Sequence, residues 1–203
     1  PGVLVVHEWT GLNDYVQMRA RRLADMGYLA FALDMYGKGI RPKTPQAAAA
    51  QAGIYKRDRQ LMRARAMAGL EVLRSDPRCD PKRIAAIGYC FGGTTVLELA
   101  RGGADIAGVV SFHGGLDTPS PRDARRIRCK VLALHGDDDP FVPPKDVQAF
   151  QDEMRAAGAD WQLVIYGGAV HGFTNPSAGN DNSKGAAYNA KADHRSWEAM
   201  KVF

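Results

Sequence analysis

The sequence predicts an α/β protein built on a mostly parallel β-sheet with helices on both faces. Short apolar, β-branched runs alternate with longer segments of helical apolar spacing along the chain, the pattern of successive strand–helix units. The short runs are continuously apolar and not alternating, as strands buried on both faces are. Length gives the third observation. A chain of 203 residues with 45% apolar content can bury one substantial core and is too short for two comfortable domains, so a single domain over residues 1–203 is expected.

The elements follow in order. Residues 3–7 (VLVVH) read as a strand, and residues 14–26 carry apolar side chains at helical spacing until Gly27 ends them. A strand is expected at 29–33, two helical stretches across 45–73, a strand at 84–88 and a helix at 91–101. Strands at 109–112 and 131–135 come next, then a helix over 145–157, a strand at 162–166 and a closing helix near 187–202. The Ala-rich piece at 47–52 reads as helix, and the Gly-, Asn-, Ser- and Pro-rich stretch at 167–185 as a long loop of the kind that often carries function. Ligands of such sheets bind at the carboxyl ends of the strands.

Composition excludes some classes. No apolar run approaches the roughly 18 residues that span a bilayer. Lys and Arg exceed Asp and Glu by 27 to 22, a net charge of +5, but the charges are scattered and no zinc spacing or RNA-binding signature accompanies them, so a solvated basic surface is favoured over a nucleic-acid partner. Cys79, Cys90 and Cys129 are odd in number and unrelated in spacing, neither a disulfide framework nor a metal site. A reducing, cytoplasmic setting is expected, with a removed N-terminal leader left open by the start at Pro1. Oligomeric state is not legible.

The strongest signal is Gly88-Tyr89-Cys90-Phe91-Gly92-Gly93 between the strand at 84–88 and the helix at 91–101. In a strand–turn–helix elbow, strand and helix cross so closely that residues two before and two after the nucleophile must lack a β-carbon. Gly88 and Gly92 satisfy this. Cys90 would sit at the first turn of a helix, where the dipole favours the thiolate. An acyl-transfer thiol needs a base and the base an orienter, in the chain order nucleophile, acid, histidine. Asp137, Asp138 and Asp139 follow one strand, and His171 follows the next. The N–H groups of Phe91 and Trp9 stand where oxyanion donors belong.

These motifs resemble the dienelactone hydrolase family. The likeness runs from residue 3 to about residue 200, through HEWTG at His7, DMYGKG at Asp34, GYCFGG at Gly88, HGDDDPFVP at His135 and AVHGF at Ala169. It implies an α/β-hydrolase fold and hydrolysis of a small ester or lactone by a cysteine triad of Cys90, Asp139 and His171, without metal or organic cofactor. In that family the acid precedes a P-x-V-P or x-F-V-P string, which implies Asp139 among the three aspartates. Glu8 matches the family's glutamate beside the nucleophile, implied to hold the resting thiol and tune its ionisation, although a carboxylate there also repels a thiolate. The family's opening strands, expected before residue 3, are not in this chain, and the arginine it carries shortly after the histidine is absent from His171-Gly172-Phe173-Thr174-Asn175-Pro176.

The remaining residues have plainer readings. Cys79 and Cys129 suit buried small hydrophobes, and His7 and His135 suit structural hydrogen bonding. His113 and His194 carry no partner signal. Asp137 and Asp138 suit a turn before Pro140, and Asp34 and Gly37 either a turn or the pocket. Tyr36 and Phe173, with Trp9, are candidate pocket walls or ordinary core. The basic run at 56–65 fits a solvated helix face better than an anion site. Against hydrolysis stand a non-catalytic ligand-binding scaffold and nucleic-acid binding, the first opposed by the full triad and the second by scattered charge.

Overall fold

A computed structural model describes residues 1–203. Six strands, β1 (Gly2–Val6), β2 (Leu29–Leu33), β3 (Ile84–Tyr89), β4 (Gly108–Phe112), β5 (Lys130–Gly136) and β6 (Trp161–Tyr166), form one sheet in the order β2-β1-β3-β4-β5-β6. Every neighbouring pair is parallel. Helices α1 (Asp14–Asp25), α2 (Pro45–Arg57), α3 (Arg59–Ser75), α4 (Phe91–Arg101), α5 (Pro144–Ala157) and α6 (Ala190–Val202) connect and cover them. The elements match the sequence reading within a residue or so, except that α6 starts at Ala190. Asn189 explains that: its side chain accepts the Ala192 N–H and caps the helix there. Asp58 separates the two helical stretches expected at 45–73, ending α2 and accepting the Leu61 N–H to start α3.

Strand side chains alternate between two apolar layers. Leu4, Val6, Ile84, Ala86, Val131 and Ala133 pack with Leu70 of α3, Val96 of α4 and Phe150 of α5. Val3, Val5, Ile87, Tyr89, Leu132 and Leu134 pack on the other face with Val16 and Leu23 of α1 and Trp197 of α6. Each wholly buried aliphatic contributes about 1.5–3 kcal/mol by leaving water. Helix α4 is buried along its whole length, so its charged residues must be paired. Arg101 meets Glu98 at 3.0 Å and Glu153 of α5 at 2.7 Å, and Arg63 of α3 meets Glu98 at 2.7 Å.

This network corrects the expected solvated face at 56–65. Lys56, Arg57 and Arg65 are exposed as expected, but Arg59 turns inward to Asp117, and Arg63 bridges Glu98 and Asp123. The helical period alone could not reveal which arginines face α4.

Strand β1 pairs with β2 on one side and β3 on the other, so the winding of the sheet reverses between β1 and β3 and opens a crevice at their carboxyl ends. Val6 lies in register with Gly88. The segments that follow, with Glu8 and Trp9 on one and Cys90 and Phe91 on the other, therefore leave the sheet side by side.

Candidate active site

Cys90 links β3 to α4 with φ 54° and ψ −114°, a conformation costly for a non-glycine residue. Its surroundings enforce it. A β-carbon on Gly88 would lie 2.0 Å from the Gly92 carbonyl oxygen. The Cys90 N–H donates to Phe112 O at 3.0 Å, and Cys90 O accepts the Thr94 N–H at 3.2 Å. The thiol is thus presented at the helix start above the crevice.

The loops after β5 and β6 bring two further groups to it. His171 Nε2 lies 3.1 Å from Cys90 Sγ, and His171 Nδ1 lies 2.7 Å from Asp139 Oδ2. The other carboxylate oxygen of Asp139 accepts the Phe141 N–H at 2.9 Å, so the acid is held at both oxygens. Asp137 and Asp138 face solvent, and only Asp139 is buried among the three. Burial works against a charged His171 imidazole, but the Cys90 sulfur and the Asp139 carboxylate outweigh it and push the imidazole up to about 10.

Glu8 is buried, and Asn175 Nδ2 donates to its Oε2 at 2.7 Å. Burial raises the Glu8 carboxyl above the ordinary range, partly opposed by the Asn175 hydrogen bond and the charge of His171. No hydrogen bond joins Glu8 to Cys90, whose partner is His171. The N–H groups of Trp9 and Phe91 donate to no carbonyl of the protein. Tyr36 Oη donates to the Trp9 carbonyl oxygen at 2.8 Å and props that loop. Tyr36 is itself buried against His7, Tyr55 and Phe91, and burial raises its hydroxyl far above the usual phenol range.

Of the two readings open for Tyr36 and Phe173, pocket wall or core, burial favours core for both, Tyr36 being 1% exposed. Phe173 is wholly buried between His113 and Tyr166, part of the core behind His171 and not a pocket wall. His113, without partner signal in the sequence, lies directly behind the site. Its ring stands edge-on to His171 at 5.4 Å, and its Nε2 lies 2.7 Å from Thr174 Oγ1. Tyr15 Oη meets the same hydroxyl at 2.5 Å, and Arg19 donates to the Thr174 carbonyl at 2.6 Å. Phe141 was also missed as a wall: it is 61% exposed, with its ring perpendicular to that of His171 at 5.4 Å. The F-V-P string contained it, but only the fold shows which way it points. The turn readings suit the structure better for Asp34, which accepts the N–H groups of Tyr36 and Gly37. His7 is a structural hydrogen-bonder: its Nδ1 lies 2.6 Å from Glu8 O, and its Nε2 accepts the Met35 N–H.

No helix is long and apolar enough to cross a membrane, and no group of three His, Cys, Asp or Glu side chains is arranged to hold a metal ion.

Comparison with known proteins identifies the family of the chain. A solved structure described as a dienelactone hydrolase-like promiscuous phosphotriesterase from metagenomic libraries is 46% identical, with a TM-score of 0.92 over 98% of this chain and 83% of that one. A carboxymethylenebutenolidase by assignment, from Aquifex aeolicus, is 24% identical over 100% of this chain and 87% of its own length. An uncharacterised Caenorhabditis elegans protein is 35% identical over 70% of this chain and 91% of its own. The model of the dienelactone hydrolase family matches residues 1–203. The chain belongs to the dienelactone hydrolase family, hydrolases of lactones and esters on an α/β sheet.

Proposed function

We propose that the chain hydrolyses small esters or lactones through a thioester acyl-enzyme on Cys90. The observation that carries this reading is the continuous line from Cys90 Sγ through His171 to Asp139, at 3.1 and 2.7 Å. His171 takes the thiol proton, and the thiolate attacks the carbonyl carbon. The developing oxyanion is received by the unengaged N–H groups of Phe91 and Trp9. The imidazolium returns the proton to the leaving oxygen as the C–O bond breaks. Water, deprotonated by His171, then attacks the thioester carbonyl; the C–S bond breaks, the acid is freed, and the Cys90 sulfur leaves beside the imidazolium, which restores the resting pair. Asp139 holds the proton on Nδ1, orients the ring and stabilises its charged form. The exposed ring of Phe141, perpendicular to that of His171, is an apolar surface for the substrate beside the base.

The test is p-nitrophenyl acetate hydrolysis by the wild type and by Cys90→Ala, His171→Ala and Asp139→Asn. The first two should lose on the order of a thousandfold or more in kcat/KM. Wild-type hydrolysis unaffected by Cys90→Ala would overturn the reading, and binding without turnover in the wild type would make the chain a ligand-binding scaffold. Phosphotriesters are a second substrate class to assay, suggested by the 46% identical structure; there the same thiolate would attack phosphorus.

A further inference from the structure

A carboxylate beside a thiol competes with histidine for its proton, and Glu8 and Cys90 leave the sheet from neighbouring strand ends. Yet Glu8 is engaged elsewhere. Asn175 donates its Nδ2 to Glu8 Oε2 at 2.7 Å, while its Oδ1 accepts the Ser177 N–H at 2.9 Å. Because a backbone N–H can only donate, the Ser177 contact fixes which end of the amide carries oxygen and obliges the NH₂ to face Glu8. The loop that presents Asn175 is itself pinned. The Asn175 N–H bonds Gly172 O at 2.9 Å, and the Asn189 N–H bonds Phe173 O at 3.0 Å. Thr174 is buried and held by Tyr15, Arg19 and His113.

We propose that Asn175 is a positioning residue that keeps Glu8 off the thiol, so that resting Cys90 is already paired with His171 before substrate arrives. The proposal rests on Cys90 being the nucleophile. Four side chains from other segments face the thiol–imidazole pair: Glu8 after β1, Tyr36 after β2, His113 after β4 and Asp139 after β5. Of these, Glu8 is the carboxylate not already committed to His171, and its commitment is to Asn175.

The experiment is iodoacetamide alkylation of the full chain without substrate, with the sites mapped by mass spectrometry and rates taken across pH. Asn175→Asp is nearly isosteric and retains the oxygen that accepts from Ser177, but it turns the donor facing Glu8 into an acceptor. Alkylation of Cys90 at neutral pH should slow by about tenfold, with its pH profile moved to higher pH by about one unit. Adding Glu8→Gln rebuilds the hydrogen bond with donor and acceptor exchanged, and should restore both rate and profile. Asn175→Ala, checked for folding by thermal melting, should slow alkylation as well, and Glu8→Gln should relieve that too. Wild-type rates in Asn175→Asp, or a defect that Glu8→Gln leaves in place, would overturn the positioning role. If instead wild-type Cys90 reacts no faster than Cys79 and Cys129, the nucleophile reading itself fails.

Discussion

A β-carbon on Gly92 would lie 2.3 Å from the carbonyl oxygen of Val6. The helix that carries Cys90 at its start therefore runs against the end of β1 at backbone contact distance, and the sequence position two after the nucleophile is open only to glycine. Gly92→Ala must push α4 away from β1. It should destabilise the fold by about 3 kcal/mol, at the upper end for overpacking, and remove most hydrolysis by moving the Phe91 N–H. Urea denaturation and p-nitrophenyl acetate rates check this together; a variant of wild-type stability and rate would show that the elbow has slack.

Thr174 should be as sensitive as a catalytic group, although it touches no substrate. Its hydroxyl meets both His113 Nε2 and Tyr15 Oη in a buried setting. Thr174→Val keeps the shape and strands both partners, an expected loss of about 2–3 kcal/mol measured by denaturant unfolding. Thr174→Ser, which keeps the hydroxyl, should recover most of it.

Stability should fall on both sides of neutrality, for different imidazoles. His7 is buried neutral, and burial depresses it from 6.5 to about 4. Below pH 6.5 the unfolded chain takes up the proton first, so stability is lost as pH drops through that window and levels off below about 4, by up to about 3 kcal/mol. His113 and His135, also lowered by burial, act in the same direction. His171 is raised, so its contribution is complete below 6.5 and lost as pH climbs toward 10. Unfolding free energies from pH 4 to 10 should trace a dome; a monotonic rise into alkali would contradict the His171 assignment.

Substrate charge should matter. Glu8 is a buried carboxylate at the site, Asn175 is neutral and engaged at both ends, and Arg41 is paired with Asp34. A p-nitrophenyl ester bearing a free carboxylate should be a poorer substrate than its neutral methyl ester by about tenfold in kcat/KM, roughly 1.4 kcal/mol of repulsion. The gap should narrow with added salt. A preference for the anionic ester would show that the His171 imidazolium outweighs Glu8 in the cleft.

The sheet and most helix limits were legible because a parallel sheet writes itself as apolar runs and its helices as periodic stripes. The elbow was legible because close backbone approach leaves only glycine, and Asp139 because the string that follows it resembles the family. What stayed hidden depends on distant packing. Arg59 and Arg63 lie one turn apart on α3, and Arg65 on another face; that Arg63 finds a buried carboxylate and not water is decided by the position of α4. His113, Thr174 and Tyr15 are separated by tens of residues in the chain, and no local pattern announces their junction. Phe173, beside the histidine in sequence, points away from the cleft because Gly172, with φ 69°, turns the chain between them.

The central claim is that hydrolysis passes through a thioester on Cys90. Its most direct test is rapid mixing with p-nitrophenyl acetate, acid quenching and peptide mass spectrometry, alongside the time course of p-nitrophenolate. The account predicts a burst approaching one p-nitrophenolate per chain, with one acetyl group on the peptide that contains Cys90 and none in Cys90→Ala. Steady hydrolysis with Cys90 unmodified, and with Cys90→Ala as fast as the wild type, would contradict it.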